Sequence, residues 1–436
     1  MKVLSAGIIY TIGNVASAAV PFALLPLLTR LLSPVEYGNV VAFALVVTLC
    51  MPFAGLNVHA AVGVAWFNRP REELPAFVGT ALAIGISTTV LTAVVIATLL
   101  PLLSSVAFGL DPIWGVLATI TAGANVVLQC RLGLWQSQQR PVLNVTLQFI
   151  ASTLNVALSL FAVLVLGWGG AGRNVGIAVS AVLMALCAVV LLLASRDAIW
   201  SFSRDHIKAL VLYGLPLIPH VLGGVLIGTA DRWIVSTQLG SEMLGIYGAG
   251  AQLGMVMTIL ADAFIKAYNP WLYARLGSSS LDDKYSVVGA IYIAVPVFLC
   301  AAVMVGAGLY LTSNFLLGAQ YRAATVVLPW FMLGGAFIGM YFCVSNLFFF
   351  SGRTSLLSLV TTSSAVLGTL LIWLLAGRFG IEGAAMGYAA TQGLLALIAT
   401  AVASRQYDLP WGELRRSVAI WFRGTFLVAA HQSAKA

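Results

Sequence analysis

Along this chain, apolar stretches of about 20 residues or more follow one another almost without pause, separated by short polar segments. An α-helix rises about 1.5 Å per residue, so each stretch is long enough to cross a hydrocarbon core of roughly 30 Å. About twelve spans are predicted, at 5–29, 38–66, 76–100, 113–137, 142–167, 174–195, 209–238, 243–265, 286–309, 323–350, 355–377 and 383–403.

Composition sharpens this picture. Of 436 residues, 61% are hydrophobic and 8% charged, with a mean hydropathy of +1.00, whereas soluble domains are about one quarter charged. The expectation is an all-α integral membrane protein. A net charge of +8 could suggest nucleic acid, but the bases stand singly between spans rather than on one face. With a cytoplasmic N-terminus, most of the 22 Lys and Arg residues fall on the cytoplasmic side. Arg30, Arg173, Arg322 and Arg378 fall on the other side, and Arg232 lies within a span. This positive-inside pattern predicts an even number of spans and both termini in the cytoplasm. The five cysteines lie within spans and form no CxxC pair, which suits packing better than a disulfide framework.

The chain repeats itself. "TRLLSPVEYGNVVAF" joins spans 1 and 2, and "STQLGSEMLGIYGAG", 207 residues on, joins spans 7 and 8. "WQSQQRPVLNV" echoes "FFFSGRTSLLS", and "GAGRNVGIAVS" echoes "GIEGAAMGYAA", with Gly172 matching Gly383 and Gly176 matching Gly387. Six helices per repeat give both halves the same orientation, related by an axis along the membrane normal. The expected divisions are an N-terminal bundle at 1–195, a cytoplasmic linker at 196–208, a C-terminal bundle at 209–404 and an amphipathic cytoplasmic tail at 405–436. Lys2, an apolar run and "ASA" at Ala16–Ala18 mimic a signal peptide, but span 1 is needed to pair with span 7.

Few motifs carry chemistry. "GWGGAG" matches GxGxxG but ends a membrane helix, so it reads as an extracytoplasmic turn and not as a nucleotide loop. No Walker A, HExxH or GxSxG sequence is present, which argues against ATP-driven transport and membrane hydrolysis. The pair Asp231 and Arg232 is therefore conspicuous, because a charge near mid-bilayer costs about 2.5–3.5 kcal/mol and survives by pairing or by facing water. Neighbours on a helix point about 100° apart, so the two should contact different partners, either locking helices together or acting on substrate or ion. Other candidates each have two readings. Arg30 ends span 1 as an interfacial anchor or as a lining of the cavity mouth. His59 and His220 are packing histidines or proton carriers. Lys266 pairs with Asp262 at i,i+4 as an anchor or serves a cavity, and Arg131 approaches the cytoplasmic end of span 4 beside Gln129 and Trp135.

On "PLLTRLLSPVEYGNV", "YGLPLIPHVL", "TADRWIVSTQLGSEMLGIYGAG" and "NPWLYARL", the chain resembles the oligosaccharide flippases of the polysaccharide biosynthesis and export family. That family shares a superfamily with multidrug and toxin extrusion transporters. The resemblance implies a V-shaped twelve-helix bundle with a central cavity. It further implies that the protein moves an undecaprenyl-pyrophosphate-linked oligosaccharide from the inner to the outer leaflet of the bacterial inner membrane. Arg30, Asp231 and Arg232 match family-typical positions. A pyrophosphate calls for bidentate guanidinium groups, which makes Arg30, Arg131 and Arg232 the substrate-binding candidates. Asp231, His220, His59 and Lys266 are the coupling or structural candidates. No cofactor or metal is expected, and coupling to H+ or Na+ is implied by the related antiporters. The expected partners are the lipid-linked oligosaccharide, membrane lipids and polysaccharide polymerase machinery, with no nucleic acid. The competing reading is a cation-coupled multidrug exporter, which would need an acid-rich, aromatic cavity.

Overall fold

The computed structural model describes residues 13, 20, 22–99, 111–278 and 280–433, which are almost entirely helical with no strand among them. Lys2 and Ala16–Ala18, and most of the first expected span, lie outside the described residues. Helix α1 covers Phe22–Leu31. It is followed by α2 (Pro34–Ala54), α3 (Val58–Asn68), α4 (Leu74–Leu99), α5 (Pro112–Ser137), α6 (Pro141–Leu160) and α7 (Gly169–Ala194). Then come α8 (Arg204–Leu276), α9 (Leu281–Leu316), α10 (Leu328–Phe350), α11 (Thr354–Gln406) and α12 (Leu414–Ser433).

Among the described residues, nine helices are long and apolar enough to cross a membrane. Two of these are double. Helix α8 is broken at Gly240 (φ 83°, ψ 177°), and α11 at Gly380 (φ 60°, ψ −140°), both in backbone regions that only glycine enters at low cost. Helix α8 thus carries predicted spans 7 and 8, and α11 carries spans 11 and 12. With α1 as the described end of span 1, the helices account for the twelve expected. The polar turns foreseen between these spans reduce to single glycine hinges.

Local signals set the helix ends. Ser33 caps α2, accepting from the Glu36 amide while Glu36 accepts from the Ser33 amide and hydroxyl, and Pro34 occupies the first turn. Glu36 has a second task. Its Oε1 accepts from the Gly170 amide (3.2 Å) at the start of α7, and a β-carbon on Gly169, whose φ is +53°, would collide with that oxygen. The "GWGGAG" glycines therefore do seat an anion on a helix N-terminus, but the anion is a side chain of the protein itself.

The repeats pack alike. Gly172 and Gly176 let α7 approach Ala162 and Ser159, three residues apart. Gly383 and Gly387, their matches, let the second arm of α11 approach Leu375 and Ile372, also three apart. A reciprocal contact joins one repeat to the other. A β-carbon on Gly38 would lie under 3.0 Å from the Ser241 carbonyl oxygen, and one on Gly245 would lie equally close to that of Pro34. Gly245 follows Gly38, and Ser241 follows Pro34, by the same 207 residues. Equivalent residues thus meet across a two-fold relation, as in an isologous interface.

By packing, the chain forms one compact unit from Met1–Ala249 with Phe315–Arg322, and another from Gly250–Asn314 with Ala323–Ala436. The boundary at Ala249 differs from that of the repeats because the first arm of α8 and the connector before it lie against helices of the first repeat. Ile199 donates to the Pro75 carbonyl (2.9 Å), Thr80 donates to that of Ser201 (2.7 Å), and Gly79 admits the Ile199 carbonyl. The connector is pinned along this stretch. In the second unit, α12 starts against α9, where Gly289 receives the Ser417 carbonyl and Tyr285 donates to Glu413 (2.7 Å).

Gly38→Ala or Gly245→Ala should shift a helix backbone at a cost of about 1–3 kcal/mol or more. Scanning fluorimetry on detergent-solubilised protein should show a lowered melting temperature or a loss of folded yield. Gly308→Ala, where an added carbon meets nothing within 4 Å, should be neutral or stabilising by up to about 1 kcal/mol.

Candidate functional site

Asp231 and Arg232 lie on the first arm of α8, and Tyr247 lies on the second arm, beyond the Gly240 break. Folding back at that glycine brings the Tyr247 hydroxyl to 2.8 Å from Asp231 Oδ2, where it donates a buried hydrogen bond. Asp231 is 1% exposed and Tyr247 is fully buried. The Arg232 guanidinium, 21% exposed, donates to the Gly228 carbonyl one turn back (2.9 Å). Its nearest approach to Asp231 Oδ1 is 4.0 Å, too long for a hydrogen bond. The two neighbours thus have different partners, as their 100° separation predicted. Among the described residues, Asp231 Oδ1 has no hydrogen-bond partner.

Arg30 stands at the end of α1 and spends its donors on backbone. One Nη donates to the Pro26 carbonyl and the other to that of Phe315, both at 2.6 Å. The cation thereby sits at the C-terminal end of α9, where helix carbonyls favour positive charge. The rest of the strap Phe315–Arg322 docks on the same helix exit. The Gly318 amide donates to Thr29 (3.0 Å), the Tyr321 hydroxyl donates to the Leu32 carbonyl (3.0 Å), and the Tyr321 ring meets Tyr37 edge-on at 5.8 Å.

Arg131 lies elsewhere. It is 2% exposed, pairs with Asp197 of the connector at 2.5 Å and stacks on Trp135 at 4.1 Å. Burial would raise the Asp197 carboxyl. Hydrogen bonds from Arg131, Ser195 and Gln138 outweigh it and hold the group below its usual value of 3.8. Arg131 is thus engaged in pinning the connector. His59, in the first turn of α3, is half-buried, its Nδ1 without a hydrogen-bond partner among the described residues, and His220 is exposed on α8. Lys266, which follows His59 by the repeat interval of 207, pairs with Asp262 at 2.6 Å.

The structure therefore brings Asp231 and Arg232 together and gives Arg30, Arg131 and Lys266 partners of their own. Sequence reasoning missed Tyr247, Asp197 and the strap, because nothing in the order of residues shows which hydroxyl or carbonyl a fold will present. It also missed Arg173, whose Nη1 donates to Asn155 (2.6 Å) and Ser159 (2.5 Å) between α6 and α7. Asn155 and Ser159, polar residues at i,i+4 on one face of the preceding span, were the available signal.

A family model described as polysaccharide biosynthesis protein matches residues 3–274. An Lsg locus protein of Haemophilus influenzae is 23% identical over 389 residues, covering 84% of this chain and 90% of that one. A second protein of the same organism, described as an uncharacterized membrane protein, is 23% identical over 378 residues, covering 84% and 89%. Among solved structures, an inward-facing multidrug resistance transporter of the MATE family superposes with a TM-score of 0.69 at 15% identity, covering 91% of this chain and 94% of that one. The lipid II flippase MurJ, in an inward closed conformation, superposes at 0.67 and 12% identity, covering 98% and 93%. At these identities the structural likeness establishes the fold.

Asp197 has a depressed pKa, so its contribution to stability is present above the unfolded carboxylate value and disappears as pH falls through the lower folded value. Asp197→Asn should lower the melting temperature at pH 7, removing about 3 kcal/mol by stranding the buried Arg131. The gap between wild type and variant should close toward pH 3. Tyr247→Phe should cost about 1–3 kcal/mol by leaving Asp231 without its donor.

Proposed function

The chain belongs to the polysaccharide biosynthesis protein family, and on that premise we propose that it is a flippase. Its substrate is an undecaprenyl-pyrophosphate-linked oligosaccharide, moved from the inner to the outer leaflet of a bacterial inner membrane by alternating access, for polysaccharide assembly. The observation that carries this reading is Arg232, a partly exposed guanidinium kept within a membrane helix beside a buried carboxyl that bonds to a different group. A cation is retained at membrane depth at real cost, and a planar guanidinium suits a pyrophosphate better than an ammonium does.

The engagement of the intramembrane acids supports the same side of the argument. Asp231 has Arg232 beside it and Asp262 pairs with Lys266, so neither place carries the net negative charge that a cationic drug calls for. In this proposal Arg232 contacts the substrate, while Arg30 and Arg131 act through the helix ends and connector that they fix. Asp231 is the candidate group for coupling to H+ or Na+. The protein performs no covalent chemistry, and a polymerase on the outer face takes up the delivered repeat unit.

Arg232→Ala should reduce delivery of the lipid-linked sugar to the outer leaflet by about tenfold or more, the effect of removing one charge-assisted pair. Protein level should stay near wild type. Outer-leaflet sugar can be read by lectin labelling of spheroplasts alongside an immunoblot. Undiminished labelling would rule out a substrate role for Arg232. Loss of the protein itself would assign the residue to helix packing.

A further inference from the structure

At the end of the first unit where α3 stops and α4 and α8 begin, the surface opens into a cleft of about 360 Å³, within the usual range for small-molecule sites of about 300–1,000 Å³. We infer that this cavity takes the phosphorylated sugar head of a membrane lipid on the loading side, with Arg69 and Glu73 as the recognising pair. This deepens the flippase reading and rests on it.

The sequence "NRPREE" builds the site. Pro70 excludes the helical backbone from the residue before it, so α3 ends at Asn68 and Arg69 turns extended (φ −117°, ψ 151°). The Arg69 guanidinium lies 4.2 Å over the Phe77 ring, so one face is held by an aromatic and its edges remain available. Glu73 is 3.6 Å away across an i,i+4 pair, beyond hydrogen-bond length. Asn68 and Tyr213 line the same cavity. None of these four polar side chains is hydrogen-bonded within the described residues, although all border one concavity. The opposite wall, including Ala61 and Val64, is apolar.

Each element of this lining answers a part of one ligand. A guanidinium with free edges takes a phosphate through two parallel bonds. A carboxylate, an amide and a phenol accept from and donate to sugar hydroxyls, and the apolar wall suits the first carbons of a lipid tail. The bases of the adjoining connectors place this end on the cytoplasmic side by the positive-inside pattern, the side on which a lipid-linked sugar would be loaded.

The test uses the purified full-length chain in nanodiscs and reads the melting temperature against polyprenyl-diphosphate N-acetylglucosamine. The controls are phosphatidylethanolamine, which also pairs a phosphate with a group that Glu73 could hold, phosphatidylglycerol and inorganic pyrophosphate. A ligand that binds the folded state raises its melting temperature by mass action. The sugar lipid should do so at lower concentration than any control. Arg69→Gln should weaken it at least tenfold, with Arg69→Lys, which keeps the charge but loses the fork, falling in between. Wild-type affinity in both Arg69 variants would overturn the inference while leaving the flippase reading intact. Equal binding of phosphatidylethanolamine would also overturn it, making the cavity an ordinary lipid site, and equal binding of pyrophosphate would make it a free-anion site. If wild type fails to bind the sugar lipid at all, the flippase reading fails with it.

Discussion

The crossing of α2 with the second arm of α8 is the contact on which the described site depends. Pro34 and Ser241 each present a carbonyl where the other helix has a glycine, so the two backbones meet with no side chain between them. In a membrane, lipid is as apolar as the helices, and close backbone approach replaces hydrophobic burial as the source of association. Once this crossing is fixed, the Gly240 hinge must fold the first arm of α8 back alongside. That motion brings Tyr247 to Asp231 and sets Arg232 beside the carboxyl without bonding to it. Near the same crossing, the strap from Phe315 to Arg322 finds the end of α1 and occupies Arg30.

The same economy governs the other charges within the helices. Arg131 meets Asp197, Arg173 meets Asn155 and Ser159, and Lys266 meets Asp262. A polar group in a low-dielectric setting is costly when unpaired, so most of these residues serve to fix one element against another. Arg232 and Arg69 are oriented without a hydrogen-bonded carboxylate, one by a carbonyl and one by a ring, and each is partly exposed.

Much of this was legible in the order of residues. The spans, the repeat interval and the divergence of Asp231 from Arg232 follow from helix geometry, and the glycines at 172, 176, 383 and 387 that mark the repeat are also places where helices approach closely. The "GWGGAG" stretch forms the turn into α7, and the anion it receives, Glu36, comes from 134 residues earlier in the chain. The partner of Arg131, Asp197, sits in a connector with no periodic signal, and the carbonyl that Arg30 holds belongs to a helix 285 residues away, so neither contact was legible in the sequence.

By itself the sequence determined that the chain is helical, that it spans a membrane about twelve times and that its halves are duplicates. These properties depend on local quantities: the length of apolar runs, the sites of glycine and proline, and the sidedness of charge. Only the tertiary structure decided which partner each charge meets. That depends on carbonyls, hydroxyls and carboxylates brought together from distant parts of the chain, and a hydrogen bond is sensitive to tenths of an ångström that no sequence interval records.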